Sequence, residues 1–315
     1  MKWKKLLAGG ALAAGSYFAV GNYFYNLSMK RGEKFFLNEN PKLPGGTSGT
    51  ESERQERKAE INHWAATAPQ ENWQITSFDD LQLVGTAYYQ QEPSDLWMVL
   101  VHGYMTNRQA MNDFAYEFYQ YGFNILTVDC RASGESAGEY TTMGWFDRLD
   151  VKQWCEELVA KEPNSEIVLL GISMGGATVM MASGEELPSN VKCIVEDCGY
   201  TSVWDIFAYQ LKDLFHLPAF PVMNAAEQVT QMRSGFSIKG ASAVNQLKKN
   251  TRPMLFIHGD ADAFVPYEML DQVYAATDAP KEKLVIPGAE HALAFEVDRE
   301  IYMTTVLKFL MKYLG

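Results

Sequence analysis

Cysteine is scarce in this chain: four in 315 residues, Cys130, Cys155, Cys193 and Cys198. That number and scatter exclude the disulfide framework of a small secreted domain, and no pair has zinc-finger spacing. Cys193 and Cys198 would be about 16 Å apart in an extended segment, too far for a disulfide. All four are therefore expected free and mostly buried. Basic charge is also short: 27 Lys and Arg against 39 Asp and Glu leave a net −12. That excludes a general nucleic-acid binder, which needs a basic face. The sequence has no glycine-rich phosphate loop, no HExxH, no EF-hand pattern and no evident internal repeat. No metal or organic cofactor is implied.

What is present is ample apolar material. Hydrophobic residues make up 47% of the chain and charged residues 21%, a composition that supports a sizeable core and rules out disorder. The length allows one large domain or two modest ones.

Six of the basic residues (Lys2, Lys4, Lys5, Lys30, Arg31, Lys34) fall in the first 34 positions beside a single acid, Glu33. Between them residues 6–29 carry no charge. As a helix this run spans about 36 Å, enough to cross a bilayer core. Trp3 at one end and Tyr23, Phe24 and Tyr25 at the other stand where interfacial aromatics would. Glycine, serine and asparagine dilute it. The expectation is an uncleaved membrane anchor over residues 1–29, with N-in orientation and the body outside the cell. The alternatives are a cleaved signal peptide, with Ala11-Leu12-Ala13 as the small-residue site, or a buried helix. Residues 30–69 read as a Pro- and Gly-rich linker followed by a short surface helix at 51–64.

From Trp73 onward strands and helices alternate. A hairpin is expected at 73–78 and 81–89, then strands at 96–101, 124–128, 167–172, 191–196, 254–258 and 284–286. Helices are expected at 110–121, 146–161, 175–183 and 301–313. Apolar runs separated by helical patterns imply a parallel sheet covered on both faces. The stretch between the strands near Asp197 and Pro253 is too long for an ordinary crossover and is rich in aromatics, so residues 200–248 read as a small helical cap.

The chemistry centres on Gly171-Ile172-Ser173-Met174-Gly175. A serine on a tight turn between an apolar strand and a small-residue helix is pushed above the sheet edge in a strained conformation, and glycines at both flanks permit the close backbone approach. The helix N-terminus behind it favours developing negative charge. A serine hydroxyl needs a base. Of five histidines, His291 sits in a loop between the last strand and last helix, where it can reach over the sheet edge. His63 lies upstream, His216 in the cap, and His102 and His258 end strands in His-Gly pairs where a structural role is the expectation. The segment after His258 offers two orienting carboxylates, Asp260 and Asp262. Asp260 can also serve as a turn residue bonding its own backbone. An oxyanion hole needs two converging N–H donors, and the backbones of Met174 and Tyr104 are placed to supply them.

His102-Gly103-Tyr104, the run 129–136, Gly171–Gly175, His258-Gly259 with Asp262 and Val265-Pro266, and Glu290-His291 together resemble the α/β-hydrolase superfamily. Within it the chain is similar to membrane-anchored bacterial serine hydrolases, relatives of serine esterases and acylaminoacyl peptidases, over residues 70–315. The resemblance implies an eight-stranded, mostly parallel sheet with helices on both faces and a small helical cap. It also implies Asp262 as the triad acid, because the family's acid lies three residues after the glycine of the His-Gly pair. Two departures stand out. Arg131-Ala132-Ser133-Gly134 replaces the usual Arg-Gly-His-Gly, and Tyr104 follows His102-Gly103 where some lipases have more glycines. The latter argues against bulky tertiary-alcohol esters. The expectation is a catalytic set of Ser173, Asp262 and His291 cleaving a small-molecule ester or acyl substrate through an acyl-enzyme. Its rivals are a peptidase or amidase on the same triad and a non-catalytic, membrane-tethered binding domain.

Overall fold

The computed structural model describes residues 2–32, 34–38, 40, 42 and 51–315, with side chains of the first helix described from Gly15. Most of the expected linker lies outside the described residues. Three helices precede the sheet: α1 (Lys2–Met29), α2 (Phe35–Asn38) and α3 (Glu51–Thr67). Then follow β1 (Gln70–Thr76), β2 (Gln82–Tyr88), β3 (Leu96–Val101), α4 (Asn112–Gln120), β4 (Asn124–Val128), α5 (Asp147–Lys161), β5 (Glu166–Ile172), α6 (Met174–Ala182) and β6 (Val191–Asp197). Helices α7 (Val203–Phe215), α8 (Ala219–Ser234) and α9 (Ala243–Leu247) separate β6 from β7 (Met254–Gly259). The chain closes with α10 (Glu268–Ala275), β8 (Lys281–Ile286), α11 (Ala294–Val297) and α12 (Arg299–Leu310).

The eight strands form one sheet in the order β1-β2-β4-β3-β5-β6-β7-β8. The first two pairings are antiparallel and the remaining five parallel. The interior strands are buried almost throughout, β4 and β7 at every residue. This is why they read as unbroken apolar runs: helices cover both faces. Side chains still alternate between faces. Val99, Leu169, Ile194 and Phe256 pack with Trp154 of α5 and Val179 of α6. Their neighbours Leu100, Leu170, Val195 and Leu255 pack with Phe114 and Phe118 of α4 and Phe309 of α12. The edge strand β1 alternates instead, burying only Trp73 and Ile75. Its pairing with β2 runs from Gln70↔Tyr88 to Thr76↔Gln82, which ends the strand two residues before the expected Phe78.

The first helix departs from expectation. Among the described residues no helix is long and apolar enough to cross a membrane. The expected spanning helix over residues 6–29 finds no support there. The second half of α1 packs on α8: Tyr25 and Met29 are buried in the protein core, and the Tyr25 hydroxyl meets Ser234 Oγ at 2.5 Å. Thr141 N donates to Met29 O at 2.9 Å and Arg31 N to Glu139 O at 2.8 Å, tying the end of the segment to the loop before α5. A helix that is apolar most of the way round reads equally as a membrane or a core helix. Here the partner lies some 200 residues away in sequence.

Candidate active site

Strand order reverses around β3: the chain moves to β4 on one side and then crosses to β5 on the other. Such a switch point opens a crevice at the carboxyl ends of the strands. Ser173 stands there, between β5 and α6, at φ 58° and ψ −115°. That backbone conformation is costly for a residue with a Cβ and persists only where the surroundings impose it. The surroundings do so here. Ser173 N donates to Asp197 O at 2.8 Å, and Ala177 N donates to Ser173 O at 2.9 Å to start α6. A Cβ at Gly171 would lie 2.1 Å from Gly175 O, and one at Gly175 would lie 2.0 Å from Val101 O, so only glycine fits on either side of the turn.

The loops after β7 and β8 bring the remaining groups across the sheet edge. His291 Nε2 lies 2.8 Å from Ser173 Oγ, and His291 Nδ1 lies 2.7 Å from Asp262 Oδ2. An ionised carboxylate only accepts, so Nδ1 carries the proton and Nε2 is left to accept from the serine hydroxyl. The other carboxylate oxygen, Asp262 Oδ1, accepts from Phe264 N and Val265 N, both at 2.9 Å. Asp260 does not join this relay. Its Oδ1 accepts from Gly288 N at 2.6 Å, and Ala261 N donates to Ala289 O at 3.1 Å. Rather than bonding its own turn, Asp260 clamps the β7 loop to the β8 loop and so aligns Asp262 with His291.

A second imidazole faces the same carboxylate. His258 Nε2 lies 3.2 Å from Asp262 Oδ2 and 3.0 Å from Val265 O, so its proton sits on Nε2 between two acceptors. The spacing of four residues across a tight turn was the available signal for this contact. Burial opposes ionisation of Asp262, but hydrogen bonds from His258 and His291 and their charge hold its carboxyl well below the usual range. Burial also disfavours a charged His258, yet Asp262 and Glu196 together raise its pKa. Beneath the relay two further acids are fully enclosed. Burial pushes Glu196 up to about 8 and Asp197 up to about 6, against the attraction of His258. His102, in contrast, is structural: Cys130 N donates to its Nε2 at 3.0 Å, and burial lowers its pKa.

Met174 opens α6 directly after the serine, and Tyr104 lies in the loop after β3; both line the same cavity as Ser173. The loop backbone passes close by, since a Cβ on Gly103 would lie 3.5 Å from Ser173 Cβ. The Tyr104 hydroxyl donates to Ser28 O, so this side chain braces α1 against the site. The rest of the cavity wall is mostly apolar, with Ile206, Leu211, Val222 and Met223 from α7 and α8 and Phe264 from the β7 loop, and Gln210 of α7 as a polar exception. As for metals, Cys198, Asp262 and His291 place potential ligand atoms within 4.8 Å of one another. Two of the three are already hydrogen-bonded to each other. Burial raises the Cys198 thiol far above its ordinary pKa, so it is a poor thiolate donor.

This sheet order, with a strained serine after β5 and an acid and histidine after β7 and β8, is that of the α/β-hydrolase fold. Residues 92–215 match the family described as Hydrolase_4, serine aminopeptidase S33. The uncharacterized protein YqkD of Bacillus subtilis is 26% identical over 214 residues, covering 68% of this chain and 70% of that protein. Among solved structures, the Pyrococcus furiosus esterase Pf2001 superposes with a TM-score of 0.65 at 23% identity, covering 82% of this chain and 94% of that one. The Pyrococcus horikoshii acylaminoacyl peptidase superposes at 0.59 and 20% identity, covering 79% of this chain and 42% of that one.

Proposed function

We propose that the protein hydrolyses carboxylic esters through an acyl-enzyme on Ser173. The observation that carries this reading is the continuous relay from Ser173 Oγ to His291 and Asp262 at the floor of an apolar cavity. His291 Nε2 takes the serine proton as Oγ attacks the ester carbonyl. Asp262 holds the imidazole in the tautomer that leaves Nε2 open and stabilises the imidazolium. The N–H groups of Met174 and Tyr104 receive the oxyanion, and the N-terminus of α6 adds a favourable field. His291 then returns the proton to the leaving alcohol, and water, activated by the same base, releases the acid.

The test is turnover of p-nitrophenyl esters by the full chain and by Ser173→Ala. Activity that disappears in the variant supports the reading; activity that survives refutes it.

A second reading, amide cleavage on the same groups, draws on one particular feature. Gln210 lines the cavity, its Nε2 donates to Phe264 O at 2.6 Å, and its Oε1 is buried with no partner among the described residues. A substrate N–H could satisfy that acceptor, as a buried polar group requires. Matched ester and amide substrates with the same acyl group separate the two. A Gln210→Leu loss confined to the amide favours the peptidase or amidase reading, and an equal effect on both favours the esterase.

A further inference from the structure

We propose that α1 is the outer wall of the acyl pocket and sets the length of the unbranched apolar chain the site accepts. The inference rests on the acyl-transfer reading and adds to it a specificity element from the N-terminal segment. Phe24, Leu27 and Ser28 of α1 line the cavity that contains Ser173 and Met174. They face Leu211, Leu214 and Phe215 of α7 across it. Phe24 meets the Phe215 ring edge-on at 5.5 Å, closing one side.

The helix is seated too firmly to be a passing visitor. At Gly21 a Cβ would lie 2.5 Å from Ala225 O, so the backbones of α1 and α8 touch where only glycine permits it. Arg233 of α8 reaches back to α1, with Nη1 donating to Asn22 Oδ1 at 2.6 Å and to Asn26 Oδ1 at 3.2 Å. The same guanidinium lies over the Tyr25 and Tyr140 rings at 4.6 and 4.9 Å. The polar residues that dilute this otherwise apolar helix are thus its docking contacts. Its apolar residues at 24 and 27, three apart and so on one face, are left to meet the substrate. The wall is built of side chains with no charge, which suits an alkyl chain and excludes a charged or sugar-like acyl group.

The experiment uses the full chain with Leu27→Trp, which fills the pocket, Phe24→Ala, which enlarges it, and Val20→Ala on the exposed face of α1 as control. Each buried methylene is worth about fourfold in kcat/KM. Across p-nitrophenyl esters from acetyl to dodecanoyl, Leu27→Trp should lose about tenfold or more on the longer chains while acetyl changes little, as two methylenes' worth of room disappears. Phe24→Ala should move the optimum to longer chains, and Val20→Ala should leave it in place. In a Ser173→Ala background, displacement of an apolar fluorophore by straight-chain carboxylates reads the same preference without any turnover. If neither variant moves the length optimum in either readout, the proposal fails whatever the turnover. If esters are not cleaved but the carboxylate optimum shifts as stated, the pocket assignment holds and the esterase reading fails.

Discussion

Asp262→Asn isolates the acid without changing the shape of the site. Asp262 Oδ1 is fixed by two backbone N–H groups at 2.9 Å, so the amide oxygen must take that position and the amide nitrogen must turn toward the histidines. His291 Nδ1, now 2.7 Å from a donor, has to present its lone pair. The imidazole proton then sits on Nε2, facing Ser173 Oγ at 2.8 Å, and the base is lost. An aspartate-to-asparagine change of this kind costs roughly 10⁴ in kcat. At 1.36 kcal/mol per decade that is about 5.4 kcal/mol of barrier. The charge balance around His258 is also broken, since its Nε2 loses the carboxylate 3.2 Å away. Breaking a buried pair costs about 3–5 kcal/mol of stability, so circular dichroism at the assay temperature must accompany the kinetics. The reasoning is refuted if the folded variant keeps kcat within tenfold of the parent protein on its best p-nitrophenyl ester.

Two further predictions concern stability. Glu196 titrates near 4.3 when unfolded and at about 8 in the fold. The folded state therefore holds the extra proton, and stability falls as pH rises from about 5 to 8, by up to about 1.4 kcal/mol per pH unit. The raised His258 acts in the same direction in the upper part of that range. The depressed Asp262 acts only below about pH 4, where its contribution is lost on acidification. Denaturant melts at pH 5.5 and 8 should show the decline, and Glu196→Gln should flatten it; an unchanged slope contradicts the burial argument. Arg131 is held by Asp150 at 2.7 and 2.8 Å and by Asp79 at 2.9 Å, and is 2% exposed. Asp150 is already pushed up to about 7 by burial with the guanidinium present. Arg131→Met should cost about 3–5 kcal/mol, a Tm drop of about 6–20 °C for a domain of this size. A scan showing less than 3 °C would contradict the ion-pair account.

The central sheet was legible because helices bury both its faces: β3 and β4 fall where the apolar runs place them, at Leu96–Val101 and Asn124–Val128. The nucleophile turn was legible because strand, glycine, serine, glycine and helix are contiguous, so local sterics alone define it. What escaped the sequence depends on contacts between distant segments. Asp260 meets Gly288 across 28 residues, and nothing near Asp260 signals that partner. Short amphipathic helices α10 and α11 are set by packing on β7 and β8, not by a long period of their own. The first helix is the sharpest case. Its composition suits lipid and protein equally, and its second half meets Ala225, Arg233 and Ser234 of α8, partners some 200 residues away that no local pattern signals.

The most direct measurement is the intact mass and peptide map of the full chain after brief exposure to an alkyl fluorophosphonate. The account predicts one phosphonyl adduct, on Ser173, absent in Ser173→Ala and formed far more slowly in Asp262→Asn. A folded protein that takes up no adduct, or takes it up at a different residue, would contradict the assignment of Ser173 as an activated nucleophile.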